Sequence, residues 1–275
     1  MSAIRGARER ARIEVTAAIK NEARKQLAAE GAAKLSLRAV ARELGMASSA
    51  LYRYFPSRDE LLTALIVDAY DSVGEAAEHA HRTAVEEAAG ATAGTATGAG
   101  ATAPGTVAAR AAAPAGTATG AKAISSARTG AHPARWVAVA CAVRDWALAH
   151  PHEYALIYGS PVPGYTAPQD TIGPASRVGL VLIAVVEDAH REEGLALPPL
   201  AEELRPEAER LAADIAPGLP PAVAPQLVAA WSQLFGLLSF EIFGQFNRVV
   251  EAREVFFRQA VTELARTVGL LGARR

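Results

Sequence analysis

The stretch Ser36 to Arg58, SLRAVARELGMASSALYRYFPSR, constrains the fold most, because it contains two short helical patterns separated by only a few residues. Ser36 is a favourable N-cap for the first helix. The apolar positions that follow recur at the spacing of one helical face: Leu37, Val40, Ala41 and Leu44. Gly45 can take the positive φ that ends many helices, and a second helix is predicted over 48–55. A pair of short helices joined by a glycine turn is typical of a helix-turn-helix.

The outer side of the second helix has the chemistry of a DNA-contacting surface. Leu51 and Phe55 share its buried side, and Phe55 is expected in the core. Small polar side chains in the first turn allow a helix to enter the major groove, and a following Tyr or Arg can reach the phosphates. Core packing is the alternative for Tyr52 and Arg53. We predict instead that both residues contact DNA, because a basic residue and a tyrosine on the side of the helix opposite Leu51 would not pack in the core.

The wider segment LSLRAVARELGMASSALYRYFPSRDELLTAL resembles the DNA-binding part of the TetR family of bacterial transcriptional regulators. Members of that family carry an "-LYxYF-" recognition helix followed by a "-PSKDELL-" entry into a long fourth helix. The resemblance implies base contacts from one set of residues and phosphate contacts from another. The implied base contacts are Arg38, Ser48, Ser49, Ala50 and Arg53, and the implied phosphate contacts are Tyr52, Tyr54 and Arg58.

One position departs from the family pattern. Members often have Ser where this chain has Ala47, so the usual side-chain cap of the recognition helix is missing. We expect Ser48 to take over as the cap. That expectation leaves open whether Ser48 is free to touch a base.

Composition predicts an all-α protein, because much of the 51% hydrophobic content is alanine and aromatic residues make up only 6%. Residues 1–60 carry 12 Lys and Arg against 7 Asp and Glu, whereas the rest of the chain carries 16 against 22. The basic end is therefore the end with the helix-turn-helix, as expected if that end neutralises phosphates. The single cysteine, Cys141, allows no internal disulfide.

The amino-terminal residues do not form a secretory signal, and the longest strictly apolar run, 178–186, is too short to cross a bilayer. A cytoplasmic protein without a membrane segment is therefore predicted. The basic residues Arg5, Arg8, Arg10 and Arg12 form a lead-in that we expect to be disordered alone. This arm either adds phosphate or minor-groove contacts or is a solvated tail.

The sequence divides into segments of different composition. The predicted domains are an arm and helix-turn-helix domain over 1–60, a linking helix over 61–88, a disordered Ala/Gly/Thr/Pro linker over 89–134, and a ligand-binding and dimerisation domain over 135–275. The first helix is predicted to end near Glu30, with Ile19, Ala23 and Leu27 on its inner face. Helices beyond the linker are predicted over 135–150, 152–158, 174–193, 207–215, 221–246 and 251–269.

The carboxyl-terminal part resembles other parts of the same family. Its last two helices resemble the family's dimer interface, which implies a homodimer built on a four-helix bundle. The stretches WVAVACAVRDWALAHPHEYALIYGSP and AWSQLFGLLSFEIFG resemble a ligand-binding domain of actinobacterial members. A small-molecule effector is therefore implied. The larger and polar residues expected to face it are Trp146, Tyr154, Tyr158, Phe235, Phe240 and Glu241.

The carboxylate of Glu241 lies in an otherwise apolar helix, which leaves three alternatives: it points to solvent, it forms an ion pair across the dimer, or it faces the ligand cavity. The favoured reading is a homodimeric repressor of a palindromic operator on double-stranded DNA, released by the effector.

Two other classes compete with this reading. An enzyme could draw on Glu78 with His79, His150 with His152, or Asp145, but their spacing places no metal ligands on one helix face. We therefore predict no catalytic residue, no metal and no cofactor. The second is a helical protein-binding adaptor without specific DNA recognition. A shallow salt dependence of DNA binding would favour the adaptor.

Overall fold

A computed structural model describes residues 2–97 and 131–271, and these ranges contain helices and no strand. The predicted all-α class is confirmed. The helices are α1 (Ser2–Glu30), α2 (Leu37–Glu43), α3 (Ser48–Leu51), α4 (Arg58–Thr97), α5 (Ala131–Ala149), α6 (Pro151–Tyr158), α7 (Ile172–Glu192), α8 (Arg205–Ile215), α9 (Ala224–Ile242) and α10 (Arg253–Thr267).

The chain forms two compact units. The first contains the described residues of Met1–Glu75, Arg144–Val178 and Leu238–Gly244. The second contains those of Ala76–Val143, Gly179–Leu237 and Gln245–Arg275.

Helices α1 to α3 and the turn that follows them, to Phe55, form what we call the head, which lies in the first unit. The predicted inner face of α1 is buried, and α1 ends where Gly31 takes a φ of 80°. Ser36 caps α2 by accepting a hydrogen bond from the amide of Ala39, and Gly45 takes a φ of 62° at the following turn. The head packs on a hydrophobic core that also takes in residues from the start of α4, and we call it the head core. Its buried residues include Ile19, Leu27, Val40, Leu51, Phe55 and Leu62.

The basic lead-in differs from its prediction. It is helical from Ser2 onward, and Arg8, Arg10 and Arg12 lie exposed along α1. Arg10 donates to the backbone carbonyl of Gly6, one turn earlier. Arg, Ala and Glu are good helix formers, so a long helix already nucleated by the head core extends through them at little cost.

The predicted linker is shorter at both ends than expected. Helix α4 continues to Thr97, and α5 begins at Ala131. Alanine has the highest helix propensity, which explains how α4 continues into a segment that also contains glycine. Residues 98–130, the rest of the predicted linker, lie outside the described residues.

The second unit is held together by contacts among helices distant in sequence. The indole Nε1 of Trp136 donates to the carbonyl of Val261, which joins α5 to α10. Arg135 pairs with Asp188 at 2.7 Å and joins α5 to α7. The amide of Ala196 donates to the carbonyl of Gly269.

Some large apolar residues of the later helices are exposed. Leu180 of α7 is 54% exposed, so α7 buries one face rather than its whole circumference. Trp231 is 40% exposed and Val255 is 70% exposed. Periodicity assigns a residue to a face, but neighbouring helices decide how wide a face is covered.

The segment Pro221–Ile242, which contains α9, is long and apolar enough to cross a membrane by length and composition alone, with a mean hydropathy of 1.3. Core helices of soluble proteins pass the same test. Leu227, Leu234 and Leu238 are buried within the protein, and Glu241 is ion-paired. One face of this helix is therefore packed within the protein.

Candidate nucleic-acid interface

The recognition helix is anchored on one side only. Leu51 is fully buried and Phe55 is 7% exposed, as predicted. The regular α-helix ends at Leu51, and the chain continues through a tighter turn. In this turn the backbone amides of Arg53 and Tyr54 donate to the backbone carbonyls of Ala50 and Leu51, respectively. Such i to i+3 bonds are common where a short helix ends, and here Pro56 follows.

The residues predicted to contact bases lie on the open side of the head. Arg38, Ser48, Ser49 and Arg53 are exposed, and Ala50 is partly buried. Tyr52 is 41% exposed, so neither it nor Arg53 is used in the core. These side chains are therefore accessible to a ligand in this structure.

The cap of the recognition helix differs from its expectation. The N-cap is Ala47, which supplies no side-chain hydrogen bond, and Ser48 is the first helical residue. Ser48 therefore does not replace the missing cap. Within the described ranges, no hydrogen bond involves the hydroxyl of Ser48 or Ser49, so both hydroxyls are available to DNA.

Replacing Ala47 by Ser is expected to stabilise the head by about 1 kcal/mol, because Ala47 has the extended backbone of an N-cap and lacks only the accepting oxygen. Urea unfolding of the full chain measures the change. Ser36→Ala is the matched control, since it removes an existing cap and should lower stability by a similar amount. An Ala47→Ser variant no more stable than the parent would show that the amides of α3 are already satisfied in another way.

The residues predicted to contact phosphates differ in burial and in the hydrogen bonds that they already make. Tyr54 packs partly buried against the head core. Arg58 donates to the carbonyls of Leu35 at 3.2 Å and Ala32 at 2.8 Å and pairs with Asp59. Arg58 thus fastens the start of α4 to the segment between α1 and α2. Its phosphate contact stays a prediction.

An ion-pair network that the sequence analysis missed joins the head to two other helices of the first unit. Asp68 of α4 accepts from Lys20 and Arg24 of α1, each at 2.7 Å. Arg24 also pairs with Glu153 of α6 at 3.2 Å. No periodicity signal identifies these partners, because the pairs join residues far apart in sequence.

The first unit also contains a cleft of about 600 Å³. Its walls come from α4, from α6 and the loop after it, and from the start of α7. The residues lining this cleft are Ile66, Tyr70, Leu156, Ile157, Gly159, Ser160, Pro161, Val162, Tyr165, Ala167, Thr171, Ile172, Ala175 and Ser176. Ile66 belongs to the head core, and Tyr70, Leu156, Ile157, Val162 and Tyr165 pack against it. The walls of the cleft and the support of the head are therefore partly the same residues.

The six residues predicted to face an effector lie elsewhere. The indole of Trp146 donates to Ser72 at 2.8 Å, and the hydroxyl of Tyr154 hydrogen-bonds Ser239 at 2.9 Å. Burial raises the pKa of Tyr154 to about 12, so its phenol stays protonated at neutral pH. None of the six lines the cleft.

The other four predicted residues have different surroundings. Tyr158 is half-buried and meets Tyr70 edge to face, with ring centroids 5.9 Å apart. Phe235 is 7% exposed in the second unit, whereas Phe240 is 52% exposed. The carboxylate of Glu241 pairs with Arg144 of the same chain, which is none of the three alternatives weighed from the sequence. The ligand roles of all six remain predictions.

Across residues 2–97 and 131–271, no cluster of three or more His, Cys, Asp or Glu side chains could hold a metal ion.

A three-helix head that presents an exposed recognition helix defines a helix-turn-helix DNA-binding protein. Residues 19–65 match the family described as bacterial regulatory proteins, tetR family, and residues 136–264 match the tetracyclin repressor-like C-terminal domain. The chain is 33% identical over 255 residues to the HTH-type transcriptional regulators Rv1816 of Mycobacterium tuberculosis and Mb1846 of Mycobacterium bovis. In each case the match covers 88% of this chain and 86% of the relative.

Two solved structures resemble the whole fold. One is a crystal structure of SCO4313, described as a regulatory protein, with 30% identity, a TM-score of 0.64 and coverage of 93% of this chain and 97% of that one. The other, a protein of unknown function from Rhodococcus sp. RHA1, has 20% identity, a TM-score of 0.57 and coverage of 92% and 95%, and shows likeness of fold alone. The chain belongs to the TetR family of bacterial transcriptional regulators.

Proposed function

We propose that this regulator is a cytoplasmic homodimeric repressor that binds a palindromic operator and leaves it when a small molecule occupies the cleft. The main support for this proposal is that some residues that line the cleft also belong to the head core or pack against it. Ile66 lies in both the head core and the cleft wall, and Leu156, Ile157 and Tyr165 line the cleft while packing against that core.

The DNA contacts in this proposal come from the exposed side of the head. Arg38 and the first turn of α3 read base edges in the major groove, while Tyr52 and Tyr54 contact phosphates. Arg53 reads a base, and Arg58 contributes a phosphate contact in addition to its bonds within the head and to Asp59. The exposed arginines of the early part of α1, which include Arg8 and Arg12, add further positive charge.

Pairing of two copies supplies the second head. Four apolar side chains of α9 and α10, all within the second unit, are exposed: Val228 at 39%, Trp231 at 40%, Val255 at 70% and Phe256 at 41%. Exposed apolar groups on long helices support a partner surface, and α9 and α10 are the helices predicted to form the four-helix bundle. Two heads related by a two-fold axis require half-sites separated by about 34 Å or a multiple of it.

Release follows if the effector prefers an arrangement of the cleft that holds the head differently. The free energy available for release is only the effector's preference for that arrangement. The connection runs through α4 and through the Arg24 pairs with Asp68 and Glu153, which tie α1 to α4 and α6. The six residues predicted from sequence to face the effector remain a second candidate lining.

Selection of bound fragments from a random oligonucleotide pool tests the proposal, because it reports binding, symmetry and spacing together. The expected result is an inverted repeat whose half-sites lie about one helical turn or a multiple apart, and whose binding falls steeply with added salt. Size-exclusion chromatography with light scattering should give the mass of two chains. Single subunits with a shallow salt dependence and no selected sequence would favour the protein-binding adaptor instead.

A further inference from the structure

We infer that the cleft takes an uncharged, mainly apolar small molecule that donates a hydrogen bond, and that it rejects anions. This inference rests on the proposed role of the cleft as the effector site. Of the described residues that line it, none carries a charge, and most are apolar. A volume of about 600 Å³ is within the range of pockets that bind small molecules.

Three hydroxyl groups that line the cleft already donate their protons to backbone carbonyls. Tyr70 donates to the carbonyl of Ile157, Thr171 to that of Pro168 at 2.7 Å, and Ser176 to that of Gly173 at 2.8 Å. A hydroxyl has one proton and two lone pairs, so each of these groups can only accept from a ligand. Burial raises the pKa of Tyr70, which keeps its proton in place at neutral pH.

The backbone at the end of helix α6 adds further acceptors to the cleft. Helix α6 ends at Tyr158, so its last carbonyls, those of Leu156 and Ile157 included, lack partners within the helix. The start of α7 could supply donors to an anion. However, the amide of Ile172 already donates to Gln169, Pro174 has no amide proton, and the carboxylate of Asp170 lies in the turn just before.

These observations together set the polarity of the ligand. An anion entering the cleft would lose its hydration, and none of the described lining residues supplies a positive charge to compensate for that loss, which is unfavourable. A neutral O–H or N–H group would meet several acceptors and replace the hydrogen bonds that it loses from water. Tyr165 also lines the cleft; its hydroxyl shares a hydrogen bond of 2.9 Å with Thr63, in which either group can donate, and it keeps a lone pair that can accept from such a donor.

Three probes with the same apolar body test the inference by ligand-detected NMR titration of the full chain. They are 2-naphthol, which donates; 2-acetylnaphthalene, which is neutral and only accepts; and 2-naphthoate, which is an anion. We expect 2-naphthol to bind with a Kd below about 1 mM and about tenfold more tightly than either of the others.

A lysine placed at the cleft should remove the preference for 2-naphthol over 2-naphthoate. Ser176→Lys supplies a cation, so 2-naphthoate should bind about tenfold more tightly than it does to the parent. Leu180→Lys is the matched control, since it lies one turn further along α7, is 54% exposed and does not line the cleft. It should leave all three probes unchanged.

Several outcomes would overturn the inference. They are parent protein that prefers 2-naphthoate or 2-acetylnaphthalene, no binding of 2-naphthol at about 1 mM, or a Ser176→Lys variant that behaves like Leu180→Lys. Gel shifts with the selected operator separate this from the proposed function. Selective binding of 2-naphthol without release of DNA would support the chemistry of the cleft and contradict its role as the effector site.

Discussion

Replacing Tyr52 by alanine is expected to weaken binding to every DNA sequence by about 2 kcal/mol per half-site, because we propose that the exposed phenol contacts phosphates and not bases. The proposed dimer has two heads, so the Kd should rise by about two to three orders of magnitude. Tyr52 is neutral, and the slope of log K against log salt should therefore stay unchanged.

Arg38→Ala should behave differently, because a base contact carries sequence information. We expect a loss confined to the selected operator and relaxed preference at one base pair of each half-site, with the salt slope reduced. Arg42→Ala is the matched control, since Arg42 is a 75% exposed arginine on the same helix that lies outside the predicted contacts.

Fluorescence anisotropy against the operator and a scrambled duplex, at several salt concentrations, measures these effects. If Tyr52→Ala and Arg38→Ala both bind like the parent, the contact surface has been assigned to the wrong side of the head.

Glu241→Ala is expected to destabilise the protein by about 3 to 5 kcal/mol, because it removes one partner of a buried ion pair. Arg144 donates to both carboxylate oxygens, at 2.8 and 2.6 Å, and the two side chains are only 11% and 5% exposed. The substitution leaves a largely buried guanidinium without this carboxylate. Urea unfolding at fixed protein concentration measures the loss.

An exposed pair of the same residue types gives the control. Glu207 pairs with Arg210 on α8, and both side chains are more than half exposed. Glu207→Ala should cost less than about 1 kcal/mol. Joint replacement of Arg144 and Glu241 by Leu should recover most of the loss, because no charge is then buried. If Glu241→Ala cost no more than Glu207→Ala, the pair would not hold α5 to α9.

The head could be predicted from the sequence in detail because its determinants are local. The buried faces of α1 and α2 follow from residues three and four positions apart, and the helix ends follow from Ser36, Gly31 and Gly45. The same locality identified the exposed side of α3. It did not identify Ser48 as the first helical residue instead of the cap, or the early start of α1, because capping and helix extension depend on competing local conformations of similar energy.

The cleft and the ion pair of Glu241 depend on contacts between helices that are far apart in sequence. Thr63 meets Tyr165 at a separation of 102 residues, and Arg144 meets Glu241 at a separation of 97. Helical periodicity specifies which residues share a face, but not which distant helix covers that face. The sequence alone therefore determined an all-α chain with a helix-turn-helix head, whereas the packing of distant helices determined the partner of Glu241 and the walls of the cleft. The physical reason is that side-chain spacing is set along one helix, while burial and ion pairing are set between helices.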